Sequence, residues 1–174
     1  MSNPVLDLIA RTRIIAIVRL PALEDAVALS RALLDGGVRV FEFTLTTPGA
    51  TEAITQVSHR LPEVASGAAA VGVGSVLTPE DAHSAIDAGA TFVVSPVFKP
   101  DVVDVCALRQ TPIFPGAYSP TEIEAAWTQA ARPQSRSFQS GVGAGLHQGH
   151  SRAHAIPEAR AHRGSRRVQH RHLP

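Results

Sequence analysis

The chain has 174 residues, 44% of them apolar and 5% aromatic, with a formal net charge of +1. That length suits one domain with a buried core, and the near-neutral balance implies no special polyanionic or membrane partner. A single cysteine, Cys106, excludes an internal disulfide framework, and no apolar run reaches the roughly 20 residues of a transmembrane helix. No signal peptide is recognised, so a cytoplasmic location is expected, with Cys106 as a buried helix residue in a reducing compartment.

Charge is unevenly placed. From Arg132 to Pro174 there are eight arginines, six histidines and one acid, Glu158, whereas acids outnumber bases before Arg132. The chain therefore divides into residues 1–131 and a basic segment, 132–174.

Residues 1–131 alternate β-branched runs with amphipathic stretches. Ile14–Val18 reads as a buried strand and Glu24–Leu34 as a helix closed by Gly36-Gly37. Val38–Leu45 reads as a strand, then Pro48–Arg60 as a helix whose proline suits the first turn. Ala69–Val73 is a third strand, and Pro79–Ala88 a helix capped by Thr78 and ended by Gly89. Thr91–Ser95 and Pro112–Phe114 are the fourth and fifth strands, followed by helices over Asp101–Arg109 and Thr121–Ala131. Apolar strands alternating with helices predict an α/β fold with a parallel sheet covered on both faces. The pattern fits an open sheet and a (β/α) barrel alike. The length is short for a complete (β/α)8 barrel, which takes ~200 residues or more.

After Ala131 the periodicity stops. Apart from isolated alanines, the apolar residues of 132–174 are Phe138, Val142, Leu146, Ile156, Val168 and Leu173. Their burial cannot offset the entropy of ordering the segment, so a poorly ordered tail is expected.

In parallel α/β folds functional groups gather at the carboxyl ends of the strands. Arg19, Glu42, Thr44, Thr46, Ser75, Ser95 and Tyr118 fall there. Alternation puts Glu42 and Thr44 on one face of the second strand and Phe41, Phe43 and Leu45 on the other. An interior carboxylate is costly unless paired or used, and desolvation raises its pKa into the range of a general acid/base. The alternative is a structural ion pair with Arg19 or Arg39, and the pattern weighs the two equally. Gly72-Val73-Gly74-Ser75 reads as a flexible turn able to approach a ligand, or as an ordinary turn. Ser95-Pro96 and Pro115-Gly116 read as loop punctuation.

Three long stretches occur in order: GGVRVFEFTLTTPGA, VGVGSVLTPEDAHSAIDAGATFVVSP and PIFPGAYSPTEIEAAW. Through them residues 14–127 resemble the 2-keto-3-deoxy-6-phosphogluconate / 4-hydroxy-2-oxoglutarate aldolase family. The resemblance implies a TIM-barrel-type, homotrimeric class I aldolase that needs neither metal nor other cofactor. In that family a lysine forms a Schiff base with the 2-keto acid substrate, the C3–C4 bond breaks, and pyruvate and an aldehyde are released. Glu42 matches the family's proton-moving glutamate, Ser75 a hydroxyl near the pyruvate carboxylate, and Pro96 a proline lining the pocket. Thr46 stands where some members carry a substrate-binding arginine, and Arg19 is the available positive charge at the first strand end.

The family's nucleophile lies on its sixth strand in a K-V-F-P-like motif. Here that region reads Gln134-Ser135-Arg136-Ser137-Phe138-Gln139, and the sole lysine, Lys99, follows the fourth strand. Arginine is no substitute, because it stays protonated. Lys99 reads as a solvated loop lysine, so inactivity is expected of the chain as written. The codons TCA-AGG-TCT-TTC-CAG encode Ser135–Gln139 and, from the third nucleotide, Lys-Val-Phe-Pro. Leu146–His150 and Ala159–Ser165 are likewise encodable so that shifted frames give Phe-Ile-Lys-Ala and Leu-Val-Pro-Thr-Gly-Gly-Val. We read 132–174 as translated out of frame, with more than one shift; a gene sequence with incompatible codons would overturn this.

Two other readings remain open. Residues 147–172 are rich in arginine and histidine, so the tail of a non-enzymatic truncated product could bind polyanions nonspecifically, without specific nucleic-acid recognition. His147, His150 and His154 have helical spacing for a metal, but Gly149 and the lack of an apolar face argue against an ordered helix. The other is a different phosphate-binding barrel, an isomerase or epimerase; FEFTLTT and PGAYSPTE favour the aldolase.

Overall fold

The computed structural model describes residues 3–130. The expectations for 132–174, including the low-order tail, the shifted lysine region and His147, His150 and His154, lie outside the described residues. The chain begins with a helix the sequence reading did not anticipate, α1 (Pro4–Thr12). Its cap is plain in retrospect: the Asn3 side chain accepts from the Val5 and Leu6 amides, Pro4 opens the first turn, and Arg13 ends it at φ 58°.

Five strand–helix units follow: β1 (Ala16–Val18), α2 (Ala26–Asp35), β2 (Val40–Thr44), α3 (Ala50–Arg60), the short α4 (Pro62–Ala65), β3 (Ala70–Gly74), α5 (Pro79–Asp87), β4 (Val93–Ser95), α6 (Pro100–Leu108), β5 (Ile113–Pro115) and α7 (Pro120–Ala130). Local chemistry sets several boundaries. The Asp25 carboxylate accepts from the Ala28 amide at 2.9 Å to start α2. The Thr78 hydroxyl caps Asp81 at 3.1 Å, as expected, with Pro79 in the first turn of α5. A reciprocal capping box starts α7: Ser119 Oγ accepts from the Glu122 amide, and the Glu122 carboxylate accepts from the Ser119 amide. Bonds donated by the Ser119 amide, the Tyr118 amide and the Ser119 hydroxyl hold the Glu122 carboxyl below its usual range.

Three expectations are corrected. Pro48 lies before α3, whose N-cap is Gly49 at φ +76°, so the helix starts at Ala50. Ile14 and Ile15 lie ahead of β1, which is confined to three residues. Gly72 and Gly74 are not in a turn; both belong to β3.

All strands are parallel and each pairs with the next in sequence, in the order β1-β2-β3-β4-β5. That order, with α2, α3, α5 and α6 over one face, is a segment of a (β/α) barrel and not a doubly wound sheet. Among the described residues β1 and β5 are the edges. The outer face supplies Phe41, Phe43, Val71, Val73, Val93 and Ile113 to the main core beneath the helices. On the opposite face α1 packs Leu8 and Ile9 against Val40, Ala70, Phe92 and Phe114, near the amino-terminal ends of the strands. Phe92 and Phe114 meet edge to face at 6.0 Å. Glu42 and Thr44 continue the same face of β2 toward its carboxyl end, beyond this cluster. Cys106 is fully buried in α6, as expected, and burial pushes its thiol up to about 12. Among the described residues no helix is long and apolar enough to cross a membrane.

Candidate active site

With a two-residue period, Val40 in the floor of the inner face is followed by Glu42 and then Thr44. On the neighbouring strand, Ala70 is followed by Gly72 and Gly74, in register with Glu42 and Thr44. The predicted division of β2 between its two faces therefore holds: Phe41 and Phe43 enter the outer core, with Leu45 against it.

The glycines of β3 make space for larger groups. A Cβ at Gly72 would strike the Phe92 ring, and one at Gly74 would lie 2.8 Å from Glu42 Cδ and closer to its Oε1. Phe92 thus lies under Gly72, and the Glu42 carboxyl occupies the volume a side chain at 74 would take. Gly74→Ala is therefore expected to destabilise the fold by about 1–3 kcal/mol, the usual cost of overpacking. Urea unfolding would read this as a lower midpoint at unchanged slope, and the cost should shrink when Glu42 is shortened to Ala.

Glu42 is 3% exposed, and its Oε2 has no hydrogen-bond partner among the described residues. Burial pushes its carboxyl up to about 7, and the charge of Arg19 partly opposes that rise. Neither arginine forms an ion pair with Glu42 among the described residues. Alternation turns Arg39 to the outer side, where its charge acts on Glu63 instead. The structural ion pair weighed as the alternative role of Glu42 is thus not formed. A carboxyl poised near neutrality on the inner face of a strand can both take up and release a proton.

The other site residues lie at the same ends of the strands. Arg19 immediately follows β1 and is exposed. Ser75 follows β3 in the left-handed region at φ 63°, a conformation that marks a constrained turn for a residue with a side chain. Pro96 follows β4 and is exposed; its carbonyl is approached so closely by β5's successor, Gly116, that a Cβ there would collide with it. Thr46 is exposed, its hydroxyl 3.0 Å from that of Thr44. Two polar residues singled out in the sequence are used differently. Ser95 spends its hydroxyl on the Val97 carbonyl at 2.7 Å, and Tyr118 is 76% exposed. Lys99 is exposed at the start of α6, beyond β4. Thr47 was missed: it is 1% exposed and bonded to the segment after β1. The Thr-Thr-Pro-Gly run was its only signal, a hydroxyl residue at a strand-to-helix turn.

A parallel, sequentially ordered sheet with helices over its outer face and a desolvated carboxyl on its inner face defines a barrel-type α/β architecture. The family description KDPG and KHG aldolase matches residues 5–148, and the chain belongs to that family. The match runs past Ala131 into the basic segment. The chain is 46% identical over 122 residues to the 2-dehydro-3-deoxy-phosphogluconate aldolase of Treponema pallidum strain Nichols, covering 70% of this chain and 56% of that protein. It is 34% identical over 110 residues to the KHG/KDPG aldolase of Escherichia coli strain K12, covering 63% and 49%. Among solved structures, the 2-keto-3-deoxy-6-phosphogluconate aldolase of Zymomonas mobilis ZM4, determined with 3-phosphoglycerate, aligns with a TM-score of 0.61 at 27% identity, covering 72% of this chain and 57% of that one. The chain thus spans about half the length of the curated relatives it matches.

Proposed function

We propose that this chain carries the proton-transfer half of a class I aldolase site, for 2-keto-3-deoxy-6-phosphogluconate or 4-hydroxy-2-oxoglutarate, without the amine nucleophile. The observation that carries the reading is Glu42, a buried carboxyl with one unpartnered oxygen on the inner face of the barrel segment.

In the reaction of the complete site, a neutral lysine adds to the 2-keto carbon. Glu42 protonates the carbinolamine oxygen, which leaves as water to form the iminium. The carboxylate then takes the C4 hydroxyl proton as the C3–C4 bond breaks and its electron pair moves into the iminium. Protonation of the resulting enamine and hydrolysis release pyruvate. A carboxyl near neutrality suits each of these exchanges. Arg19, Ser75 and Thr46, with Pro96 as an apolar wall, are assigned to the carboxylate and the distal end of the substrate; their positions at adjoining strand ends support that role.

The chain as written lacks the Schiff-base lysine. Lys99 is exposed and lies beyond β4, separated from Glu42's strand by β3. We read the basic segment 132–174 as a shifted reading frame, standing where the family's sequence carries the nucleophile. Incubation with pyruvate and borohydride, followed by peptide mass spectrometry, is expected to give no adduct, and a coupled assay for pyruvate release no turnover. A trapped adduct on Lys99 together with turnover would overturn this reading.

A further inference from the structure

We propose that Thr47 is a positioning residue that latches the segment after β1, and with it Arg19, beside the carboxyl of Glu42. The inference rests on the reading of Glu42 as the proton carrier. Its geometry is a buried cluster of hydroxyls. Thr47 Oγ1 accepts the Leu20 amide at 3.1 Å and lies 3.3 Å from Thr44 Oγ1. Thr44 Oγ1 donates to the Val18 carbonyl at 3.3 Å and lies 3.0 Å from Thr46 Oγ1. One assignment of protons satisfies every contact. Thr46 and Thr47 donate to the two lone pairs of Thr44, Thr44 donates to Val18, and the Thr47 oxygen is left for the Leu20 amide.

The two backbone groups held in this way, the Val18 carbonyl and the Leu20 amide, flank Arg19. Arg19 is exposed and makes no ion pair among the described residues, so the path of its backbone sets the region its charge can reach. Thr44 occupies the same inner face as Glu42, two residues on. The cluster therefore links the strand that carries the carboxyl to the charged group that, among the described residues, acts on it. Both Thr44 and Thr47 are essentially inaccessible to water, so a lost hydroxyl cannot be replaced freely by solvent.

The test uses the full chain, isotopically labelled, and follows the Leu20 amide by hydrogen exchange and the Glu42 carboxyl carbon by NMR titration. Thr47→Val keeps the shape and removes the acceptor. It is expected to speed Leu20 exchange roughly tenfold, the worth of one hydrogen bond, and to raise the Glu42 midpoint as Arg19→Ala does. In the Arg19→Ala background it should move the midpoint no further, and Thr47→Ser should restore both readings. An equal shift with and without Arg19, or no change in either reading, overturns the proposal. Should Thr47→Val fail to fold, the wild-type chain decides: a protected Leu20 amide supports the latch, and free exchange refutes it. None of these readings needs turnover, so a failed latch is distinct from a failed assignment of Glu42 as the proton carrier.

Discussion

Joining residues 1–130 of this chain to the remaining carboxyl-terminal part of the Treponema pallidum relative is expected to produce an aldolase, while the chain alone is expected to show no turnover. The two proteins are 46% identical over 122 residues, so this chain's part of the chimera replaces a related stretch of the relative. Under the proposed mechanism, the chimera regains an amine able to form the iminium that accepts the electrons of the breaking bond. Within it, Glu42→Gln is expected to lower kcat by about 10²–10⁴-fold, the usual worth of a positioned general acid/base. KM should change much less, because the amide keeps the shape of the site and loses only proton transfer. Pyruvate release coupled to lactate dehydrogenase reads both constants. A chimera that turns over equally well with Gln at position 42 would remove Glu42 from the reaction.

The second large effect concerns stability and needs no activity. The Glu42 carboxyl is raised from its ordinary 4.5 to about 7 in the folded chain, mainly by desolvation. Between those values the unfolded chain has released this proton while the folded chain still holds it. Folding is then linked to proton uptake, and stability falls as pH rises. Below 4.5 both states are protonated and the term vanishes; above about 7 it is complete and costs about 3 kcal/mol. Glu42→Gln removes the titration. The variant should match the wild type near pH 4 and exceed it by up to ~3 kcal/mol at pH 8. Urea unfolding at both pH values measures the difference. An identical pH dependence in the two proteins would show that Glu42 is solvated and not a poised acid. A residue that destabilises its own fold in the working range is expected where function requires it.

Much of this was legible from local pattern. The alternation Phe41-Glu42-Phe43-Thr44 assigned faces correctly because a strand turns successive side chains to opposite sides, whatever its neighbours. Thr78-Pro79 at the start of α5 was equally secure, since a cap is satisfied within a few residues. Where signals were read too narrowly, the errors were local: Gly72 and Gly74 were assigned to a turn by composition, although a strand accepts glycine wherever a neighbour needs the space. The family likewise followed from long stretches of sequence, and the match over residues 5–148 bears that out.

By itself, then, the sequence determined the parallel α/β class, the order of the five units, the inward carboxylate and the absence of any lysine but Lys99. Each depends on periodicity or identity, which are properties of short segments. Only the tertiary structure decided that the strands follow a barrel order, that α1 plugs one end of the inner face, and that Arg19, not Arg39, acts on Glu42. It also decided that Thr47 joins the segment after β1 to β2 across 27 positions of chain. These are relations between distant segments, set by packing one element against another, and no local periodicity encodes them.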